Sequence, residues 1–339
     1  MRTLFFLFKA LLIVLLYALN TACSKSADNT IQDKITKSFS IDILEDEVYY
    51  FPAKKFQTEN ILYQPLRQFD LIFTAYDTNS SKTSYNSHLI SQAIPGDYTH
   101  MLMYIGKDSQ GFAYGVEMNS DISKDIRLGK NGLELDGHLY VYCLGSDFGE
   151  KECPVDNYIY GIDRYDYLWA KRLEPKLLQE LKKDKKMLIQ RIKQDLISAY
   201  PFELQFEISK ELIKTKKILI VDSINNRGRD CASYFISLFE ELLHLCLEDI
   251  RMDAKELEDY YMNDRVGQKA YIPLEYNLLT SGGLYFKDLI ELQKFSFENN
   301  TPRDSQCRSE EKLKGFVTPD LIFNSPSMKE IKGLKDLVR

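Results

Sequence analysis

At 339 residues, 44% hydrophobic and 12% aromatic, the chain has enough apolar material for one sizeable core or two smaller ones. Its 44 Lys and Arg are outnumbered by 50 Asp and Glu, a net charge of −6, so nothing in the balance asks for nucleic acid. Twenty-two tyrosines against one tryptophan read as drift in composition rather than as a carbohydrate-stacking platform.

The first 22 residues read as an export signal. Arg2 and Lys9 supply positive charge, residues 10–19 are an apolar core too short for a comfortable membrane span, and Asn20-Thr21-Ala22 precedes Cys23. Ala22-Cys23 resembles a bacterial lipoprotein cleavage site, although Asn20 stands where Leu is common. The resemblance implies that Cys23 is the lipidated first mature residue, carrying acyl chains such as palmitate and tethering the protein to a membrane outside the cytoplasm. Ser24 rather than Asp follows it, which under the sorting rule of enteric bacteria points to the outer membrane or cell surface. The removed segment holds two of the 44 basic residues and no acidic ones, so the mature chain carries about −8. Residues 24–37 are polar and aperiodic, the pattern of a tether, and 23–61 form an N-terminal extension.

Downstream, Phe69-Asp70-Leu71-Ile72-Phe73-Thr74 predicts a buried strand, and residues 87–94 a short helix ended by Pro95-Gly96-Asp97. A strand beginning near His100 follows, then another at 139–143. Residues 158–200 read as helical, because Leu177, Leu178, Leu181, Leu188, Ile192 and Leu196 line one side amid lysines. A brief β-branched run at 218–221 leads to a helix whose stripe is Phe235, Leu238, Phe239, Leu242 and Leu243. Beyond residue 248 come turns, a Gly282-Gly283 break and Val317-Thr318-Pro319-Asp320-Leu321-Ile322, with no repeat and no metal cassette. The expected fold class is α+β: an antiparallel sheet packed against the helix that bears Cys231, with added helices.

Candidate chemistry comes from combining two stretches. In Asn226-Arg227-Gly228-Arg229-Asp230-Cys231, a turn and an Asp N-cap place Cys231 in the first turn of a helix, where unpaired N–H groups and the helix dipole favour thiolate. By itself a cysteine there reads more readily as a small buried hydrophobe. Far upstream, Gly106 and Gly111 bracket what looks like a four-residue hairpin loop, Lys107-Asp108-Ser109-Gln110. Setting Gly106 opposite Gly111 sets His100 opposite Glu117, on one sheet face with Cβ atoms roughly 4.5–5.5 Å apart. A slip of one residue would separate them. The plain alternative is a histidine at a strand end beside an exposed glutamate. Cys, His and a carboxylate together supply nucleophile, base and orienting group for acyl transfer. His88, His138 and His244 have weaker claims: the first falls in the short helix, the second precedes a strand, and the third lies late on the Cys231 helix.

The order of Phe69-Asp70-Leu71-Ile72-Phe73, Thr99-His100 leading into Gly106, Glu117, Tyr200-Pro201-Phe202-Glu203 and Asp230-Cys231 resembles the circularly permuted papain-like group of the NlpC/P60 superfamily. The likeness is to its YiiX/YaeF-type branch, related to lecithin:retinol acyltransferase-like enzymes, and it spans residues 62–325, which implies a permuted papain-like domain over that range with a helical insertion at about 158–200 and a C-terminal tail at 326–339. Val317-Thr318-Pro319-Asp320-Leu321 is similar to a Thr-Pro-Asp segment near the end of such proteins. Asn226-Arg227-Gly228-Arg229 lacks the aromatic often found before the cysteine, and Tyr200-Pro201-Phe202-Glu203 follows the usual Pro-Tyr-Asp only loosely. The resemblance implies Cys231 as nucleophile, His100 as base and Glu117 as third residue, in a thiol hydrolase or acyltransferase that needs no cofactor. It also implies cell-wall peptide as substrate, with lipid acyl groups second. Two alternatives stay open: a non-catalytic surface lipoprotein that keeps the core as a binding scaffold, and a metal site, since Cys, His and Glu are all competent zinc ligands. Of the remaining cysteines, Cys143 and Cys153 are close enough in sequence to close a short loop, with Cys246 and Cys307 left over.

Overall fold

Short apolar runs with no helical period become strands when both of their faces are covered. That is the case at the centre of this molecule, seen in a computed structural model. The structure describes residues 47–77, 96–119, 126–128, 133–152, 160–161, 165–196, 199–201, 231–251, 271–273, 283–285 and 317–334. Strand β3 (Leu71–Ala75) is buried at every position, and β4 (His100–Lys107) at every position after His100. β5 (Ala113–Asn119) and the long β7 (Leu133–Gly145) continue the sheet on one side of β4. On the other side lie β9 (Tyr167–Leu173), β1 (Tyr49–Lys54) and β2 (Ile61–Leu66). With β10 (Ala199–Pro201) at the far edge, the path runs β10-β7-β5-β4-β3-β9-β1-β2, antiparallel throughout. β6 (Ile126–Leu128) and β8 (Tyr160–Gly161) pair with β7, the latter in parallel. Helices α1 (Pro175–Lys183) and α2 (Lys185–Asp195) follow β9. Helix α3 begins at Cys231 (Cys231–Ile236) and runs on as a π-helical segment, Ser237–Leu242. A separate pair, β11 (Tyr271–Pro273) with β12 (Gly283–Tyr285), precedes α4 (Pro319–Asn324) and β13 (Met328–Glu330). The architecture is α+β, dominated by one antiparallel sheet.

The outer edge of β9 is shared. Lys54 of β1 pairs with Leu168, and β13 pairs with Lys171, Arg172 and Leu173. The gap between them is closed by a side chain: the fully buried Gln64 amide accepts from Ala170 N at 2.8 Å and donates to Ala170 O at 3.1 Å. The same amide donates to Ile331 O at 3.0 Å. Gln64 thus satisfies backbone groups that no strand reaches, as burial requires. Pro52 sits in β1, where sheet pairing on the β9 side is confined to Lys54, and Pro65 sits in the terminal strand β2, positions that tolerate a missing N–H.

These strands correct several expectations. The sheet begins at Tyr49 and takes in Met328–Glu330, so it outruns the expected 62–325 span at both ends. Within 158–200, helix occupies Pro175–Lys183 and Lys185–Asp195, while Tyr167–Leu173 is a central strand and Tyr160–Gly161 and Ala199–Pro201 are short strands. Buried Tyr167, Leu168, Trp169 and Ala170 cover both faces of β9, so its sequence has no alternation to distinguish it from helix. The export signal, Cys23, the 24–37 tether, the 87–94 helix with His88, the 218–221 run and the turn through Asp230 lie outside the described residues.

The β4–β5 hairpin is also built differently from the expected four-residue loop. Lys107 pairs with Ala113, and the intervening turn is organised by Asp108, whose Oδ1 accepts from Gln110 N and Phe112 N, each at 2.9 Å. Its Oδ2 accepts from the Tyr114 hydroxyl at 2.8 Å. Gly106 is not a loop boundary but part of a bulge: Tyr104 pairs with Gly115 and Gly106 with Tyr114, leaving Ile105 as the extra residue. Gly106 takes φ 131°, and the Ile105 carbonyl accepts from Gln68 Nε2 at 2.6 Å. Past the bulge Met103 pairs with Val116, and the same count places His100 opposite Asn119, not opposite Glu117. The offset is two residues, and an even offset keeps His100 and Glu117 on the same face.

Candidate active site

His100 is the first residue of β4, and the chain is held as it enters that strand. Thr318 caps α4, accepting from Leu321 N at 3.1 Å, and Pro319 takes the first helical position. The next residue, Asp320, accepts through Oδ1 from Asp97 N at 3.1 Å and Tyr98 N at 3.2 Å. Burial pushes the Asp320 carboxyl above its ordinary range, and these two N–H groups work against that rise. Gly96 has φ +107°, and a Cβ there would meet the Asp320 side chain at 2.2 Å. Tyr98 stacks on Phe323 at 4.3 Å between ring centroids. The Thr318-Pro319-Asp320 segment therefore holds Gly96, Asp97 and Tyr98, and Thr99 N, donating to Thr74 O at 3.0 Å, carries the chain into His100.

Thr74 lies directly opposite His100 on β3. On the β5 side, His100 Nε2 is 2.6 Å from Glu117 Oε2, the diagonal contact that a two-residue offset allows to long side chains. The His100 side chain keeps 14% exposure, whereas Glu117 has none. With Glu117 ionised, and so able only to accept, the short contact puts the proton on Nε2. That tautomer leaves the Nδ1 lone pair to act as base. The same Oε2 accepts from the buried Tyr165 hydroxyl at 3.2 Å. Tyr165 also lays its ring nearly parallel to the imidazole, at 20° and 6.0 Å. Sequence reading missed this residue. It stands 48 positions from Glu117, and no local pattern marks it.

Cys231 is the first residue of α3, is buried and keeps its thiol out of any disulfide. The helix packs against β4 and β5, the two strands that carry His100 and Glu117, and against α4. Its apolar side, Ala232, Phe235, Leu238 and Phe239, is buried, each large side chain contributing ~1.5–3 kcal/mol. A polar tie fixes its orientation: the buried Tyr234 hydroxyl donates to Asp195 Oδ2 at 2.9 Å, and Arg191 Nε lies 2.9 Å from both Asp195 oxygens.

Among the other histidines, His138 lies inside β7, paired with Ala199, rather than before a strand. His244 follows the π-helical segment with φ 53°, past the end of the helix on which it was expected. Cys143 and Cys246 are each disulfide-bonded, and Cys153 and Cys307 lie outside the described residues. Among the described residues no three His, Cys, Asp or Glu gather in a way that could hold a metal ion. Comparison with family models, curated proteins and solved structures finds no match to this chain.

Proposed function

We propose that this chain is a thiol hydrolase, or an acyltransferase of the same chemistry, with a permuted papain-like core, in which Cys231, His100 and Glu117 act as nucleophile, base and orienting group. The observation that carries the reading is the 2.6 Å His100–Glu117 contact on the strands over which the Cys231 helix packs. His100 Nδ1 takes the Sγ proton, and the thiolate attacks the carbonyl carbon of an amide or ester. The Cys231 N–H, at the start of its helix, donates to the developing oxyanion. The imidazolium then protonates the departing amine or alcohol, giving an acyl-enzyme. Water or another acceptor, deprotonated by His100, releases the acyl group and restores the thiol. Glu117 stays ionised throughout and holds the Nε2 proton. Cell-wall peptide is the first substrate class, lipid acyl groups the second, and the protein works outside the cytoplasm on a lipid tether at Cys23.

The burial of Cys231 favours a second reading, a lipoprotein that uses the core as a binding scaffold with an inert thiol. One experiment separates the two. Alkylation of Cys231 in folded protein, followed by mass spectrometry across pH, is expected to proceed below the ordinary thiol pKa of about 8.5. His100→Ala should move its midpoint upward while the fold is kept. An unreactive thiol, or the same midpoint in folded His100→Ala, rejects the coupled pair. Exposure to peptidoglycan fragments and, separately, to phospholipids then asks which leaves an acyl group on Cys231.

A further inference from the structure

We propose that Tyr165 is a positioning residue for the His100–Glu117 pair, an inference that rests on the reading of that pair as the orienting half of a catalytic site. Glu117 is out of reach of water, so its charge must be met by donors within the protein. Two groups close on the same carboxylate atom: His100 Nε2 lies 2.6 Å from Oε2, and the Tyr165 hydroxyl donates to it at 3.2 Å. The remaining groups near the pair reinforce this arrangement. Tyr165 lies two residues before β9, with the Tyr76 ring 5.4 Å away on its side and the imidazole lying nearly parallel to it. One side chain thus restrains the pair twice, by a charge-assisted hydrogen bond to the carboxylate and by a ring that restricts rotation of the imidazole.

Sharing Oε2 also sets how strongly the carboxylate attracts the imidazole proton. The phenol takes part of the negative charge, and it binds that charge more firmly when His100 is neutral than when an imidazolium already offsets it. Removing the hydroxyl therefore destabilises the neutral-imidazole state more, and the pair should hold its proton to higher pH. Glu117 and Tyr165 are the titratable groups in contact with the imidazole among the described residues; the elements packed against the pair carry Tyr140, opposite Glu117 on β7, Tyr76 against the Tyr165 ring, and Cys231 on the helix over β4 and β5.

The chain has four histidines, so imidazole nitrogen NMR on the full chain resolves His100 once His100→Ala identifies its signals. Wild type is expected to show the Nε2-protonated tautomer. Tyr165→Phe, which keeps the ring, should raise the proton affinity of His100 about three- to tenfold. Replacing Tyr165 with 3-fluorotyrosine keeps the shape, strengthens the donor and should shift the titration the other way. In a Glu117→Gln background, Tyr165→Phe should have no further effect on the titration. A titration unchanged by both the Phe and the fluorotyrosine replacements, or a shift that persists without the carboxylate, overturns the proposal. These spectra read the pair whether or not Cys231 attacks a substrate, so their failure is distinct from failure of the alkylation test.

Discussion

Asp70 and Glu117 are buried carboxylates on either side of β4, and they are satisfied in opposite ways. Asp70, just before β3, accepts from Arg67 N at 2.7 Å and from Arg172 Nε and Nη2 at 2.8 and 2.6 Å. Its partner is a guanidinium, a cation at any working pH, held in a two-pronged grip. Glu117 meets an imidazole, a ring that can carry or release a proton and has a second nitrogen left to use. The first arrangement can only hold β3 to β9. The second can hold a ring in place while that ring exchanges a proton, so the partner's chemistry rather than the burial separates a structural carboxylate from a candidate catalytic one.

The contrast predicts unequal costs. Arg172→Met strands the Asp70 charge, and breaking a buried pair from one side typically costs ~3–5 kcal/mol. The lower figure is expected, because the Arg172 side chain is 25% exposed. Urea unfolding should register this as a fall in midpoint with little change in slope.

Glu117→Gln should cost much less, about 1 kcal/mol, because an amide oxygen still accepts from Nε2–H and from Tyr165. Its larger consequence should be chemical: the midpoint for Cys231 alkylation rises, by less than in His100→Ala. Equal stability losses in Arg172→Met and Glu117→Gln would erase the distinction between the two carboxylates.

How much of this could be read from sequence depended on whether the signal was local. The apolar runs of β3, β4 and β7 were legible, and so was a helix carrying Cys231 at its start. The His100–Glu117 contact was legible for a reason that the register only partly supports. The turn pairs Lys107 with Ala113, an odd slip from the expected register that alone would have parted the two side chains. The bulge at Ile105 adds one more residue and restores the face. Sequence gave no warning of that bulge, because what sustains it is Gln68 reaching the Ile105 carbonyl. β9 was lost to helix since the leucines and lysines that follow it carry a strong helical period. β13 is three residues long and exists through its pairing with β9. Tyr165 and Asp195 matter through contacts 48 and 39 residues away, which no local pattern encodes.

The smallest predicted effect lies at the structural carboxylate and appears only in alkali. Tyr104, whose backbone N–H donates to Asp70 O at 2.9 Å, is fully buried. Burial first, then the carboxylates of Asp147, Glu47 and Asp70, push its phenol far above the usual tyrosine range. In the unfolded chain the same phenol ionises near pH 10. Below that pH neither state ionises it, and its contribution to stability is intact. Above it the unfolded state sheds a proton that the folded state retains, so stability falls by about 1.4 kcal/mol per pH unit for this one group until the folded phenol also titrates. Tyr104→Phe removes that loss. It gives up only a 3.5 Å contact to Glu47 O, so at pH 7 it should match wild type to within about 0.5 kcal/mol. Between pH 10 and 11 the variant should become the more stable of the two, by up to roughly 1 kcal/mol. Arg172 stays charged over this interval, so the Asp70 pair should not contribute to the difference. Parallel urea-unfolding midpoints for the two proteins from pH 7 to 11 would mean that the Tyr104 phenol is not held neutral by its surroundings.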